Sequence, residues 1–221
     1  VRVHDIAPAR LEPFAPASRA RDLDGIARWS TVVLLSLPDS RAVQSVVLDA
    51  GGLAATMAPG TVVVDTSTTD PPLTQRIAGA LAARGIGFLD APVSGGEKGA
   101  AAATLSIMAG GEEATFARCL PILRAMGSSV VRMGGVGAGG VAKLVNNLIV
   151  GAAFAAVAEG FALGAKSGLD PRTLYEAIRG GWAGSKVLDV AAAAMLEGDY
   201  RPGGTVNIHW KDLGYALSLA R

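Results

Sequence analysis

Short, nearly continuous apolar runs alternate with helical patterns through the first 135 residues, and this alternation limits the possible folds more than any other feature. The apolar runs lie at 31–38, 61–68, 85–94, 104–111 and 128–135, and a shorter strand-like run, "VRV", lies at 1–3. Helical patterns lie between them, at about 40–48, 71–83 and 112–125. Strands that are apolar throughout are typical of a parallel sheet with helices on both faces. We therefore predict a Rossmann-type, doubly wound α/β sheet.

The pattern changes to helix alone after the last apolar run. Helical patterns cover about 141–166, 172–181, 185–196 and 207–221. Asp170 and Pro171 suit the cap and the first position of the second of these helices. The sequence predicts two domains, an α/β domain over 1–135 and an all-α domain over 136–221.

Composition excludes several classes of partner. The chain has 221 residues, a formal net charge of +1 and only 5% aromatic residues, with no block of Lys or Arg. Nucleic acid and an acidic membrane surface are therefore not expected as partners. The most apolar stretch, 148–165, contains Glu159, which predicts a buried helix or an oligomer interface rather than a membrane span. We expect a homo-oligomer.

Cysteine and histidine are scarce. Cys119 is the single cysteine, so an internal disulfide is excluded and core packing is the favoured role. His4 and His209 are far apart in sequence and lack the spacing of metal ligands. The expected location is the reducing cytoplasm, with no metal.

One glycine-rich stretch, "GVGAGGVAKLVNN" at 135–147, admits two interpretations. Gly135, Gly137 and Gly140 match G-x-G-x-x-G, the dinucleotide-binding pattern. That pattern requires a second strand after the helix, and no apolar strand follows here. The favoured interpretation is a sharp turn with close backbone approach at the start of the long helix. Lys143 and Asn147 then share one helix face.

Three motifs in order, "FLDAPVSGG" (88–96), "GVGAGGVAKLVNN" (135–147) and "WKDL" (210–213), resemble the β-hydroxyacid dehydrogenase family, which includes 3-hydroxyisobutyrate dehydrogenases and 2-hydroxy-3-oxopropionate reductases. The resemblance covers essentially the whole chain. It implies an NAD(P)-dependent oxidoreductase that interconverts a short 3-hydroxy acid and its semialdehyde. The glycine fingerprint of that family precedes the strand that reads "VRVHD" here. We therefore expect a chain without the fingerprint and the first strand, and one that ends within a helix.

The resemblance also implies a cofactor site. Asp5 occupies the acidic position that binds the adenosine ribose, which favours NAD over NADP. Arg10 softens that preference, so NADP is possible. Leu37 and Pro38 line the cofactor path, and Thr68 contacts the nicotinamide end. The alternatives are helix capping for Asp5 and Thr68 and strand termination for Pro38.

The substrate and catalytic residues follow from the same motifs. Ser94, Gly95 and Gly96 bind the acid group of the substrate, with backbone N–H groups free of side-chain bulk. Lys143 is the general acid and base, and Asn147 holds the lysine or the substrate hydroxyl. A surface lysine with its head group in solvent is the alternative for Lys143.

Two further residues carry an expectation. Lys211 reaches the cofactor from the helical domain, with a surface ion pair as the alternative. Ala103 stands where the family usually has glycine, and we expect little effect of that difference.

Three other functions remain as alternatives. A phosphogluconate dehydrogenase is disfavoured because that group has histidine within the lysine motif, where this chain reads "KLVNN". An imine reductase is disfavoured because such enzymes usually lack the lysine. A non-catalytic binding or scaffold module predicts a broken lysine or Ser-Gly-Gly motif, and both motifs are intact.

Overall fold

The computed structural model describes residues 1–201 and 203–221. They form two compact units, Val1–Lys143 and Leu144–Arg221. The first unit holds six strands, β1 Val32–Leu35, β2 Val62–Asp65, β3 Gly87–Asp90, β4 Val93–Ser94, β5 Ser106–Gly111 and β6 Ser129–Gly134. It also holds the helices α1 Leu23–Trp29, α2 Ser40–Leu48, α3 Leu53–Thr56, α4 Pro71–Ala82, α5 Gly96–Ala101 and α6 Glu113–Arg124, and two 3₁₀ turns, Pro8–Leu11 and Pro16–Ser18.

The sheet is doubly covered, as predicted. Val63 packs in one apolar cluster with Ile77 and Leu81 of α4. Val62 and Val64 pack in a second cluster that includes Cys119 and Leu123 of α6. Because neighbouring residues of a strand point to opposite faces, the two clusters lie on opposite faces of the sheet. The Rossmann-type α/β fold class is confirmed, as is the packing role of Cys119.

The sheet is mixed, whereas a parallel sheet was predicted. β1, β2 and β3 are parallel neighbours, but β5 runs antiparallel to β3 and β4 and parallel to β6. A parallel connection needs a crossover of a dozen or more residues, usually with a helix long enough to cross the sheet. Between β3 and β5 the chain holds only the two-residue β4 and the six-residue α5. That short connection suits a reversal of direction.

Two local predictions in this unit are wrong, and three short helices were not predicted. The predicted strand at 1–3 is reduced to an isolated bridge between Val3 and Arg19. The single run predicted at 85–94 is divided into β3 and β4, and Pro92, which has no N–H for a ladder, lies between them. The short helices α1, α3 and α5 were not predicted, because each is too short to show a clear helical period.

The second unit is all-α over its described residues, as the pattern predicted. α7 Ala138–Lys166 begins in the first unit and continues into the second, followed by α8 Pro171–Ile178, α9 Lys186–Glu197 and α10 Val206–Leu219. α7 starts three residues before the predicted 141, because the last glycines of the motif already belong to the helix. Phe161 packs with Leu188 and Ala192 of α9, and partly buried Tyr175 and Ile178 of α8 join them.

The apolar surface of α7 is mostly uncovered. By length and composition alone, α7 could cross a membrane, a property that core helices of soluble proteins share. Only 11% of its most apolar stretch is buried by the rest of the structure. The described residues of a single chain therefore do not bury this helix, because their other helices cover only part of its surface, and the oligomer interface stays a prediction.

Candidate functional site

Hydroxyl groups join the loops that follow β1 and β2. The Leu37 N–H donates to Ser67 Oγ at 2.9 Å, and Thr66 Oγ1 donates to the Leu35 carbonyl at 2.6 Å. The carboxyl ends of parallel strands in such sheets are the edge where ligands bind. The structure therefore brings the loop of Leu37 and Pro38 beside the loop of Thr68, which were predicted to serve one cofactor.

A buried carboxylate, which the sequence analysis did not single out, shapes the second of these loops. Asp65 ends β2 and is 1% exposed. Its Oδ1 accepts the Ser67 N–H at 3.0 Å, and its Oδ2 accepts Thr69 Oγ1 at 2.9 Å. Thr68 is thereby held between two anchored neighbours. The signal that could have revealed Asp65 is an acidic residue that ends an otherwise apolar strand.

Asp5 is half-buried and makes local contacts. Its Oδ1 accepts the Ala7 N–H at 2.8 Å, and Arg10 Nη1 lies 3.8 Å from Oδ2. The 3₁₀ turn Pro8–Leu11 has no side-chain cap, so Asp5 shapes the approach to the turn rather than capping it. The carboxylate keeps acceptor capacity for a ribose hydroxyl. The neighbouring Arg10 guanidinium reduces the local negative charge. A site with less negative charge would discriminate less strictly between NAD and NADP.

Ser94, Gly95 and Gly96 form the junction between β4 and α5. Gly95 has φ 137° and Gly96 has φ 62°, conformations that suit glycine and few other residues. A methyl group on Gly95 would lie 3.1 Å from Leu105 Cδ2, whereas one on Gly96 would meet open space. Both glycines are required by the turn, and the open side of Gly96 leaves room for a ligand.

Ala103 occupies a strained position just after α5. It is the one non-glycine residue with positive φ, 54°, among the described residues. The Thr104 N–H donates to the Gly99 carbonyl at 2.9 Å and the Ala103 N–H donates to the Ala100 carbonyl at 3.2 Å, as in a helix C-terminus that normally carries glycine at this position. The glycine expected from the family resemblance thus has a conformational reason.

The glycine motif at the start of α7 binds an internal carboxylate. Asp90 ends β3, is 3% exposed, and accepts the Gly137 N–H at Oδ1 and the Gly140 N–H at Oδ2, both at 2.8 Å. Burial raises the pKa of Asp90, while the hydrogen bonds from Gly137 and Gly140 oppose that rise, and the nearby charge of Asp65 adds to it. The close-approach interpretation of this motif therefore has a specific contact, with an acidic partner that the motif itself does not reveal.

Lys143 lies on α7 one helical turn before Asn147, as the spacing predicted. Lys143 is half-buried, whereas Asn147 is 5% exposed. Asn146 Nδ2 donates to Asn147 Oδ1 at 2.9 Å, and Asn147 Nδ2 donates to Asp212 Oδ2 at 2.6 Å. The Asn147 amide is thus oriented by a donor on one side and an acceptor on the other.

Lys211 belongs to the same polar cluster in the second unit. Its Nζ lies 2.8 Å from Asp212 Oδ1, and the side chains of Lys211 and Asp212 are 21% and 0% exposed. The ion pair considered for Lys211 is present, but it is largely buried rather than on the surface. Asp212 lies in the "WKDL" motif, which assigns it no role, and the structure shows it as the partner of both Lys211 and Asn147.

The described ranges contain no candidate metal cluster and no exposed thiol. No group of three or more His, Cys, Asp or Glu residues there could hold a metal ion. Cys119 is fully buried, and burial raises the pKa of its thiol, which disfavours a nucleophilic role.

Comparison with known proteins agrees with this arrangement. Residues 1–135 match the family model of the NAD binding domain of 6-phosphogluconate dehydrogenase. Residues 137–221 match the model described as NAD-binding of NADP-dependent 3-hydroxyisobutyrate dehydrogenase. The match of the first unit to an NAD-binding domain confirms the class of cofactor.

Individual relatives are about two fifths identical to the chain over the aligned residues. The 3-hydroxyisobutyrate dehydrogenase of Pseudomonas aeruginosa is 41% identical over 86% of this chain and 66% of its own length. The 2-(hydroxymethyl)glutarate dehydrogenase of Eubacterium barkeri is 38% identical over 89% of this chain and 65% of its own length. The chain therefore spans slightly less than two thirds of the length of these relatives.

A solved structure has the same fold. The 3-hydroxyisobutyrate dehydrogenase of Mycobacterium tuberculosis, described with L-serine, superimposes with a TM-score of 0.87 at 32% identity over 99% of this chain and 77% of that protein. The fold is that of proteins with an NAD-binding α/β unit followed by a helical unit. The chain belongs to the β-hydroxyacid dehydrogenase family.

Proposed function

We propose that this protein is an NAD(P)-dependent dehydrogenase that interconverts a short 3-hydroxy acid and its semialdehyde. The observation that carries the proposal is the Asn147 amide, which Asn146 and Asp212 lock in place one turn after Lys143 on α7. A buried, oriented amide beside a half-buried lysine suits the binding of a hydroxyl and the transfer of its proton.

The chain offers a fitting set of cofactor contacts. The joined loops after β1 and β2 present Leu37, Pro38 and Thr68 at the ligand-binding edge of the sheet. Asp5 is proposed to bind the ribose, and Lys211 to approach the cofactor from the helical unit. NAD is the proposed cofactor, and the closeness of Arg10 to Asp5 supports use of NADP as well.

The proposed chemistry divides the work between cofactor and protein. A bound nicotinamide cofactor would supply the acceptor for the hydride that leaves the carbon bearing the hydroxyl. Lys143 as the free amine accepts the hydroxyl proton during oxidation, and as the ammonium it returns the proton to the aldehyde oxygen during reduction. Ser94, Gly95 and Gly96 are proposed to hold the carboxylate through one hydroxyl and backbone N–H groups.

The names of the relatives suggest the substrate class. 3-Hydroxyisobutyrate and 2-(hydroxymethyl)glutarate both carry a CH₂OH group on the carbon next to a carboxylate, and they differ only in the second substituent of that carbon. We infer that the substrate has the form HOCH₂–CHR–COO⁻. The Ser-Gly-Gly turn would hold the shared carboxylate and Lys143 would serve the shared hydroxyl, while R selects among enzymes.

Assembly and location are proposed on broader grounds. A homo-oligomer is supported by the apolar surface of α7, of which little is covered by the described residues. A cytoplasmic location is supported by the single buried thiol. A non-catalytic module remains the competing proposal, and it predicts no turnover.

The test measures NADH or NADPH formation by the full-length protein. The panel contains 3-hydroxyisobutyrate, D-glycerate and L-serine, which have the form HOCH₂–CHR–COO⁻, and threonate, which does not, each with NAD and NADP. Lys143→Ala is expected to lower kcat about 10²- to 10⁴-fold, the contribution of a positioned general acid or base. Lys166→Ala, at the exposed end of the same helix, is the matched control. The proposal fails if no substrate turns over or if Lys143→Ala keeps full activity.

A further inference from the structure

The buried carboxylate of Asp90 joins the sheet to the first turn of the helix that carries Lys143. The first N–H groups of a helix have no acceptor within it. Gly137 immediately precedes α7 and Gly140 is its third residue, and Asp90 accepts both of their N–H groups. A negative charge at this end also interacts favourably with the helix dipole.

The surrounding glycines bring the helix close enough for these bonds. A methyl group on Gly110 of β5 would lie 2.5 Å from Asp90 Oδ1 and 2.7 Å from the Gly135 carbonyl. A methyl group on Gly139 would overlap the Met108 carbonyl. The start of α7 therefore rests directly on the backbone of β5, and the carboxylate at the end of β3 determines where it rests.

Lys143 follows this contact closely along the helix. Gly140 and Lys143 are three residues apart, which in a helix is less than one turn and about 4.5 Å along the axis. Such a short stretch of helix is rigid, so a shift of the Gly140 N–H group displaces the base of the lysine side chain by a similar distance. Lys143 belongs to the same compact unit as Asp90.

We propose that Asp90 is a positioning residue, which sets the place and direction of the first turn of α7 and thereby holds Lys143 where it transfers the proton. The proposal rests on the proposed function, because it assigns Lys143 the catalytic role. It also explains the glycine motif without a dinucleotide. The N–H groups that would bind a phosphate in a dinucleotide site here bind the Asp90 carboxylate.

The variant Asp90→Asn keeps the shape of the side chain but replaces one acceptor oxygen with a donor NH₂ group. One of the two helix N–H groups then faces a donor, and the first turn moves away. Misplacement of a catalytic group by about 1 Å costs about 100-fold in rate. We expect kcat to fall by about that factor while the KM for the cofactor stays unchanged, because the Asp90 carboxylate accepts its hydrogen bonds from the start of α7.

Asp65→Asn is the matched control. Asp65 is an equally buried carboxylate at the end of a neighbouring strand, but it holds the loop of Thr68. Loss of the Asp65 carboxylate is expected to raise the KM for NAD with a smaller effect on kcat, whereas Asp90→Asn is expected to lower kcat and leave KM unchanged. A merely structural role for both residues would lower the amount of folded enzyme and change both variants alike.

Steady-state kinetics of the full-length enzyme are combined with amide hydrogen exchange of the unmodified protein. We expect the Gly137 and Gly140 amides to exchange as slowly as amides in the middle of α7. Wild-type kcat in Asp90→Asn, or fast exchange of both amides, overturns the inference. If Asp90→Asn does not fold, the hydrogen exchange of the Gly137 and Gly140 amides in the unmodified protein decides the inference. If the wild-type protein is inactive but both amides exchange slowly, the proposed function is refuted. The hydrogen bonds that fix the start of α7 to Asp90 are then still supported.

Discussion

The substitution Asn147→Asp tests the buried cluster of the second unit. It replaces an amide with a carboxylate of the same shape, directly opposite Asp212. In the native protein the distance between Asn147 Nδ2 and Asp212 Oδ2 is 2.6 Å. The new side chain above its pKa has no proton to donate there, and it brings a second negative charge into a site where the Asp212 side chain is 0% exposed.

The expected loss has two parts. A hydrogen bond to a charged group contributes about 1.5–3 kcal/mol. Two carboxylates that relax to roughly 3.5 Å repel by about 5 kcal/mol at an effective dielectric constant of 20. The Lys211 ammonium, 2.8 Å from the other oxygen of Asp212, offsets about half of that repulsion. We expect the free energy of unfolding to fall by about 4 kcal/mol at pH 8.

The loss should depend on pH with a definite sign. The neighbouring carboxylate raises the pKa of the new side chain in the folded state above its unfolded value of about 3.9. A raised folded pKa means that the protonated form, which donates a hydrogen bond to Asp212, stabilises the protein below pH 4. That stability is lost as pH rises through the folded pKa, over a window of roughly pH 4–7, because a loss of about 4 kcal/mol corresponds to a shift of about three pKa units.

The assay is urea unfolding at pH 4.5 and pH 8, followed by circular dichroism. Asn207→Asp, in the exposed first turn of α10, adds the same charge without a buried partner and should leave stability nearly unchanged. If Asn147→Asp were as stable as the wild-type protein at pH 8, or equally destabilised at both pH values, the 147–212 contact would not carry the energy assigned to it.

Two further predictions concern the first unit. Ala103→Gly should raise the free energy of unfolding by about 1 kcal/mol and the melting temperature by about 2–4 °C, because it relieves the left-handed backbone conformation of an alanine. Ala102→Gly, at φ −86°, should instead destabilise the protein. Equal effects of the two changes would contradict the strain argument. Iodoacetamide should leave Cys119 unmodified in the native protein at pH 8 and modify it in urea, because the thiol is fully buried and its pKa is raised by burial. Peptide mass spectrometry measures the modification. Rapid modification of Cys119 in the native protein would show that this core opens easily.

The sequence predicted most strands of the sheet because their apolar runs are continuous. The runs at 31–38, 61–68, 104–111 and 128–135 each contain a strand. The direction of β5 was not predictable, because apolar content is the same in a parallel and an antiparallel strand. The strand expected at 1–3 failed because only Val3 bonds to a neighbouring segment, through Ser18 and Ala20.

The candidate site was predicted in part. Ser94, Lys143, Asn147 and Lys211 were identified through motif resemblance, and their assigned roles stay predictions until the kinetic tests are made. Three buried carboxylates that hold the proposed site together, at positions 65, 90 and 212, were assigned no role. Each follows or interrupts an apolar run, a local pattern that is also typical of an ordinary strand end or an exposed helix face.

The sequence by itself determined the class of fold and the family, because strand and helix periods and short motifs are local properties of the chain. Only the tertiary structure decided what the glycines and the acidic residues do. The Asp90 carboxylate meets Gly137 and Gly140 across 47 and 50 residues, and Asn147 meets Asp212 across 65. Contacts between such distant positions leave no periodic trace in the sequence, since they arise only when the strands and helices have packed.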